Sequence, residues 1–389
     1  MKRILFLSYY FEPDLCAGSF RNSTLFKELY SQIDANTEVV VITTMPHRYA
    51  SYDAKAMEYE GLNNIVIHRI NIKKHKGDIF NQIKAFAFFY VNASKIYRKQ
   101  KFDLVYASSS RLFTAFLGYR ASRITKAKLY LDIRDIFVDT MNEVLKKKLV
   151  RFFSLIVLNC VERMAFSNAN HINLISGGFK TYFNKYPKPN YSFFSNGIDD
   201  DFSNWEDQNN SNNLVRRIMY AGNIGEGQGL EYIIPQAAKK LEGNYEFIII
   251  GDGGTRHKLQ QAIHEERIKN VVIMNPVNRK ELKEIYKTAD FLFIHLNDYK
   301  AFEKVLPSKV FELAAINKPI IAGVSGYAYS FFENNIDNVI LFKPKDVNSL
   351  ITQLENYNYK KEFRYAFIEK YNRKKINSDM VKSILSYVY

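Results

Sequence analysis

Two rhythms of hydrophobic and polar positions alternate along this chain of 389 residues. Short runs of Ile, Val, Leu and Phe are apolar almost throughout, and between them lie longer stretches in which apolar residues return every three or four positions. The runs predict strands buried on both faces, and the stretches predict helices that cover them. In the first half, strands are expected over Arg3–Ser8, Glu38–Thr43, Asn64–Ile70, Asp103–Ala107, Lys128–Ile133 and His171–Ile175. Helices are expected from Ser19 to Tyr30, from Asp78 onward, from Arg111 to Arg123 and from Met141 to about Phe166. A second series starts at Arg217–Ala221 and continues with Tyr245–Ile250, Asn270–Met274, Phe291–His295, Pro319–Ala322 and Val339–Phe342, again with helices between. Strands alternating with helices make βαβ units and a parallel sheet.

Between the two series, Asp199 to Asn213 is polar, Asn-rich and weakly periodic, as a linker is. The chain therefore divides into an α/β domain over residues 1–198, a linker over 199–213, a second α/β domain over 214–372, and a helical segment over 373–389 that packs back toward the first domain. Ligands of such sheets bind at the carboxyl ends of the strands. The expected architecture is two Rossmann-like parallel-sheet domains facing each other across a cleft.

Composition narrows the class. A hydrophobic content of 47% with 24% charged residues is that of a globular protein. Cys16 and Cys160 are the only cysteines, which excludes a disulfide framework and a Cys-rich metal site and fits a reducing compartment. The apolar run Ile4–Leu7 is too short for a signal segment, and the longest run, Phe152 to Val161, falls short of a membrane span, so a cytoplasmic location is expected.

Charge changes the picture further. The net charge is +15, and residues 1–200 hold 29 Lys+Arg against 17 Asp+Glu, whereas residues 201–389 hold 26 against 23. A basic half beside a near-neutral one suggests a polyanionic partner for the first domain. Lys73-Lys74-His75-Lys76 leads into Ile79, Phe80, Ile83, Phe86, Phe88, Phe89 and Val91, and Lys146-Lys147-Lys148 leads into Leu149–Val161. Basic residues beside a bulky apolar face compose a helix that lies in an anionic membrane surface; domain core with a solvated charged end is the other reading. No pattern of a nucleic-acid-binding module is present, so no nucleic acid is expected as partner.

Candidate chemistry sits at predicted strand ends. Val305-Leu306-Pro307-Ser308-Lys309-Val310-Phe311-Glu312 opens a helix whose free N–H groups, with Lys309 and with Glu312 one turn on, suit a phosphate and a polyhydroxyl group. Gly222-Asn223-Ile224-Gly225-Glu226-Gly227-Gln228-Gly229 follows a strand and can bring backbone close to a phosphate, with Ser308 and Lys309 as a second wall. Gly251-Asp252-Gly253-Gly254 is a further strand-end loop, where Asp252 caps a helix or meets a sugar, and Val277 follows the next strand. In the first half, Asp132-Ile133-Arg134-Asp135 concentrates charge at a strand end: either Asp132 or Asp135 orients a hydroxyl while Arg134 holds one of them ionised, or the group is a structural ion pair. His68, His171 and His295 fall in strand patterns and read as packing, and no metal-binding spacing stands out.

YAGNIGEGQGLE, IIGDGG and VLPSKVFELAAINKPIIAG, in this order, resemble the donor half of GT-B glycosyltransferases of the family 4 kind. YYFEPDLCAGSFRN, LDIRD, HINLIS and SNGID carry the resemblance through the first half, and it looks closest to bacterial enzymes that extend undecaprenyl-linked O-antigen or capsule units. It implies a retaining transfer, without a metal or other cofactor, of a sugar from a nucleotide-sugar, UDP-linked, to an undecaprenyl-diphosphate-linked glycan. The enzyme would sit peripherally on the inner face of the cell membrane. Residue by residue, it implies that Gly18 leaves room for the diphosphate or donor sugar, that Gly222, Asn223 and Gly225 lie against the phosphates, and that Lys309 stabilises the leaving diphosphate. Glu312 would grip the ribose hydroxyls and Val277 would lie near the base. Two positions depart from the family: a glutamate eight residues before Glu312 is replaced by Lys304, with Glu303 beside it as the sugar-facing candidate, and a basic residue of the glycine loop is Gln228. A GT-B nucleotide-sugar epimerase is the alternative enzyme, and a nucleic-acid-binding protein the alternative from another class.

Overall fold

The computed structural model describes residues 1–14, 16–46, 55–72, 79–109, 111–145, 147–203, 205 and 214–389. Lys73–Lys76, Asp78, Lys146 and most of the expected linker, residues 204 and 206–213, lie outside the described residues. The chain forms two units, Met1–Asn196 with Lys374–Tyr389, and Gly197–Arg373.

The first unit is built on strands β1 (Lys2–Ser8), β2 (Thr37–Thr44), β3 (Tyr59–Leu62), β4 (Ile65–Ile70), β5 (Leu104–Ser109), β6 (Lys128–Ile133), β7 (His171–Leu174) and β8 (Asn190–Ser192). Their order is β3-β4-β2-β1-β5-β6-β7-β8, parallel except for β3, which pairs antiparallel with β4. The hairpin of β3 and β4 turns at Asn63, held at φ 51. β1 and β5 are buried almost throughout, which is why they read as unbroken apolar runs. Helix Leu112–Thr125 packs on β5 and β6, and helices Ile79–Tyr97 and Lys148–Phe166 pack against it. The single helix expected from Met141 to Phe166 is two, Phe137–Val144 and Lys148–Phe166, because Leu145 and Lys147 adopt extended backbone. The N-cap of helix Ala17–Gln32 is Cys16 rather than Ser19: the Cys16 thiol accepts the Ser19 N–H at 3.5 Å.

The second unit holds β9 (Arg216–Asn223), β10 (Tyr245–Asp252), β11 (Val271–Met274), β12 (Phe291–His295), β13 (Ile320–Gly323) and β14 (Val339–Phe342). All pair in parallel in the order β11-β10-β9-β12-β13-β14, which reverses direction between β9 and β12. The carboxyl ends of the strands at such a switch point are the usual ligand position of a doubly wound sheet. Two buried cations finish this unit's ends. Lys318 donates to the carbonyls of Tyr286, Lys287 and Ala289, closing a helix C-terminus, and Arg364 does the same for Ile316, Lys318 and Asp337.

Candidate functional site

The glycine loop after β9 is a packed turn rather than an open one. A Cβ on Gly251 would fall 1.8 Å from the Gly222 carbonyl oxygen, and one on Gly253 would fall 2.4 Å from that of Ile224. The two strand-end loops therefore touch through bare backbone, which accounts for Gly251 and Gly253. Gly229 stands at φ +59 against the Asn297 side chain, and a Cβ there would come within 2.9 Å of it.

Inside the loop, Asn223 Nδ2 donates to Gln228 Oε1 at 2.7 Å, and a Cβ on Gly225 would lie 2.5 Å from that amide nitrogen. Gln228, where the resemblance implies a basic residue, is thus one half of an amide pair. The end of β12 clamps the same turn from outside. His295 Nδ1 bonds the Gln228 carbonyl at 2.6 Å, Asn297 Nδ2 donates to the Glu226 carbonyl at 2.7 Å, and the Tyr299 hydroxyl donates to Glu226 at 2.6 Å. His295 Nε2 in turn accepts the Lys345 N–H at 3.2 Å, which fixes a neutral ring with its proton on Nδ1. Burial pushes its pKa down to about 4. Sequence reasoning assigned His295 to packing; the clamp depends on a carbonyl 67 residues away and leaves no local signal.

Ser308 does not cap helix Lys309–Ala315, which is only seven residues long. The macrodipole of so short a helix is small, and local charge carries the electrostatics. Lys309 Nζ lies 2.7 Å from Glu312 Oε1, and the buried Tyr286 hydroxyl donates to the same oxygen at 3.0 Å. Glu312 Oε2 takes no hydrogen bond from a described residue. Burial, then the Glu312 charge and hydrogen bond, raise the Tyr286 pKa well above its ordinary value, so this phenol stays a donor. Tyr286 was not foreseen; it lies on the buried side of helix Arg279–Thr288, whose amphipathic spacing marks it only as core. Arg279, from the same helix, pairs with Asp199 and Asp201.

The remaining candidates of this unit are spread around the strand ends. Asp252 accepts the Gly253 N–H at 2.8 Å, a turn bond. Val277 is half-buried and packs on the hydrophobic core. Glu303 is exposed on the wall of a cavity of about 700 Å³ shared with Asp298, Ser325, Tyr329, Lys343 and Lys345.

In the first unit the charged end of β6 differs from its expected role. Asp132 is fully buried and accepts four hydrogen bonds: Arg21 Nε at 2.8 Å and the Tyr106 hydroxyl at 3.2 Å on Oδ2, Arg21 Nη2 at 2.9 Å and Asn173 Nδ2 at 2.7 Å on Oδ1. Burial pushes its carboxyl up, but Arg21 and Asn173 outweigh that and hold it below the usual range. With both oxygens doubly bonded, Asp132 has nothing to offer a substrate, and its assignment as a hydroxyl-orienting residue is corrected to a structural one. Arg21, not Arg134, keeps it ionised. Asp135 is half-buried, and burial lifts its carboxyl to about 6. The space before Gly18 is taken by Arg134, whose Nη1 would be 2.9 Å from a Cβ there. His171 is a packing residue: it stacks on Tyr130 at 4.3 Å and bonds Ser192 and Tyr387.

The two basic aromatic helices also differ from expectation. In Ile79–Tyr97, Phe86 and Phe89 are buried, and Ile83, Phe88 and Val91 face out. In Lys148–Phe166 the outward residues are Leu149, Phe152, Phe153, Ile156 and Val157, between 53% and 76% exposed, with Val150 beside them at 50%. Spacings of three, one, three and one put the five on a single stripe. Glu162 ties the other side of this helix down, buried among the hydroxyls of Tyr182 and Tyr186 and the ammonium of Lys185 at 2.7–2.9 Å. Among the described residues no helix is long and apolar enough to cross a membrane.

Residues 201–374 match the family model of glycosyl transferases group 1. A putative colanic acid biosynthesis glycosyl transferase of Escherichia coli is 30% identical over 112 residues, 28% of this chain and 27% of that protein. An uncharacterized glycosyltransferase of Methanocaldococcus jannaschii is 25% identical over 154 residues, 38% of each. The matched stretches thus span well under half of either relative. Whole-chain similarity comes from solved structures. Anabaena HepE in complex with UDP-glucose superposes with a TM-score of 0.68 at 14% identity, over 99% of this chain and 100% of the other. The lipopolysaccharide outer core galactosyltransferase WaaB, in its apo form, gives 0.64 at 14% identity, over 99% of each. These likenesses establish the fold as GT-B, an α/β architecture of two parallel-sheet domains.

Proposed function

We propose that this chain, a GT-B protein whose residues 201–374 are a group 1 glycosyltransferase domain, is a glycosyltransferase of surface-polysaccharide synthesis. It moves a sugar, with retention, from a UDP-linked donor to a glycan on undecaprenyl diphosphate at the inner face of the membrane. The observation that carries this reading is the cluster of Lys309, Glu312 and Tyr286 in the unit whose strand order switches between β9 and β12. Lys309 supplies a cation for the departing diphosphate as the sugar C1–oxygen bond breaks. Glu312 keeps Oε2 for a ribose hydroxyl, and Tyr286 fixes the carboxylate through Oε1. The acceptor hydroxyl bonds to C1 and its proton leaves to solvent or to a base. No metal is required in this scheme.

A UDP-linked donor is supported by the UDP-glucose held in the HepE structure, and polysaccharide synthesis by the colanic acid relative. The solvent-facing apolar stripe of helix Lys148–Phe166, flanked by exposed Lys147 and Lys148, supports a peripheral seat on an anionic bilayer.

The test is turnover with a panel of nucleotide-sugars and a lipid-diphosphate glycan. Lys309→Ala is expected to lower kcat by two to three orders of magnitude, in line with removal of one preorganised charge stabiliser. Glu312→Ala should instead raise the donor KM, and EDTA should change nothing. Unaltered kinetics in both variants, or a requirement for added Mn²⁺, would overturn the assignment.

A further inference from the structure

The end of β6 holds one more cation than its partners can use. Arg21 and Asp132 neutralise each other through two hydrogen bonds, and the remaining donors of Arg21 go to the carbonyls of Ser195 and Phe194. Two residues on, Arg134 follows with its backbone N–H on the Ser109 carbonyl at 3.2 Å. Its side chain is treated differently: Nε and Nη1 are both buried and neither has a hydrogen-bond partner. No carboxylate of a described residue lies within ion-pair distance of it. Asp132 and Asp135 act on it only at longer range, as does the Cys16 thiol, while Arg21 repels it. Buried guanidinium nitrogens with idle donors carry an uncompensated desolvation cost. Proteins keep such a group where something outside the chain completes it.

The surroundings hold the guanidinium in place. Gly18 presents bare backbone to Nη1, and Tyr10, which Arg111 bonds at 3.1 Å, lies against the same glycine. The group therefore cannot swing toward the Ala17–Gln32 helix, and the remaining ligand must be brought to it. Arginine donors at fixed geometry select oxyanions, phosphate above all.

We propose that Arg134 is the receptor for a phosphate oxyanion of the acceptor, seated in the same unit as the apolar stripe of helix Lys148–Phe166. The inference rests on the transferase reading for the identity of the acceptor and for the UDP site that its binding test fills. Burial, and then the Arg21 charge, lower the Arg134 pKa; a bound dianion would reverse that and recover the lost hydrogen bonds.

The experiment is calorimetric titration of inorganic pyrophosphate into the whole protein held at saturating UDP, so that the nucleotide's own phosphate site is filled. The wild type is expected to bind, Arg134→Gln to bind at least tenfold more weakly, and Arg134→Lys to fall between. UDP affinity should stay within twofold in both variants. If pyrophosphate binds the wild type no better than Arg134→Gln, the proposal fails. If UDP affinity falls as steeply as pyrophosphate affinity, the oxyanion is the nucleotide's and the acceptor assignment fails. Should the glutamine variant not fold, the lysine variant and Gly18→Ala, whose methyl would press on Nη1, are judged by the same two criteria. Pyrophosphate binding lost in Arg134→Gln in a protein that transfers no sugar from any donor would leave this site standing and overturn the transferase reading alone.

Discussion

Asp132 and Asp135 are three residues apart and titrate in opposite directions, because Arg21 and Asn173 outweigh the burial of Asp132 whereas the hydrogen bonds of Asp135 to Ile136 and Thr140 do not outweigh its own. Removing the Asp132 carboxylate would leave Arg21 buried and unpaired, and breaking a buried pair from one side costs about 3–5 kcal/mol. Asp132→Ala is therefore expected to fail in denaturant melts before it fails in turnover; a variant of unchanged midpoint and abolished activity would restore Asp132 to the catalytic set. Asp135 works the other way. Its folded pKa of about 6 stands above the ordinary 3.8, so the folded state keeps a proton that the unfolded state releases between those values. Stability conferred on the protonated form is lost as pH rises from about 4 to 6 and does not change above that. Asp135→Asn should thus be more stable than wild type above pH 6, by up to about 3 kcal/mol, with the gain vanishing near pH 4. Chemical melts at both pH values check it, and a gain independent of pH would mean the carboxyl is not perturbed. The charge cluster at the β6 end was legible in the sequence as a cluster. Its division of labour was not, since Arg21 lies 111 residues and Asn173 41 residues from Asp132.

At the scale of elements, the β-strands were readable because strands buried on both faces have no polar positions to confuse the pattern. β3 was not, being an exposed edge of only four residues whose sequence, Tyr-Glu-Gly-Leu, lacks an apolar run. Helices were readable in their period but not in their orientation. Both basic aromatic helices carry similar residues, yet helix Ile79–Tyr97 turns Phe86 and Phe89 against Tyr9 while helix Lys148–Phe166 turns Phe152 and Phe153 to solvent. Only the packing around helix Leu112–Thr125 separates the two cases. The consequence is a pair of opposite outcomes. Phe152→Ser with Phe153→Ser should reduce sedimentation with anionic vesicles at least tenfold and leave the melting midpoint within a degree or two, since exposed side chains contribute little to folding. Phe89→Ala should lower stability by about 3–5 kcal/mol and alter vesicle binding only through unfolding. Vesicle binding untouched by the double serine variant would remove the membrane role from this helix. The glycine loops show the same limit from another side: a Cβ on Gly251 or Gly253 would strike neighbouring backbone and one on Gly225 the Asn223 amide, contacts that the sequence pattern does not reveal.

For the whole molecule, what matters is that chain order and folding unit do not coincide. Lys374–Tyr389 belongs to the first unit, and Met380, Val381, Ile384 and Val388 are buried with Ile4, Phe6, Leu25, Val39, Tyr106 and Tyr130. The Tyr130 hydroxyl reaches Ser383, and the Tyr389 hydroxyl meets that of Thr37 at 2.7 Å. The first unit's core is therefore complete only once Lys374–Tyr389 has been made, whereas the second unit's core draws on Gly197–Arg373 alone. Two cores with separate membership predict two separable unfolding transitions. Ile384→Ala removes buried volume from the first core and should cost about 2–5 kcal/mol there. On the proposed reading UDP binds the second unit and should stabilise only that core, by about 2.7 kcal/mol at a hundred times its dissociation constant. Scanning calorimetry of wild type and Ile384→Ala, each with and without UDP, separates these effects: the substitution should lower the UDP-insensitive transition and leave the UDP-sensitive one in place. A single transition that moves with both perturbations would mean that the two cores unfold as one, and that the late-arriving helix stabilises the nucleotide unit as much as its own.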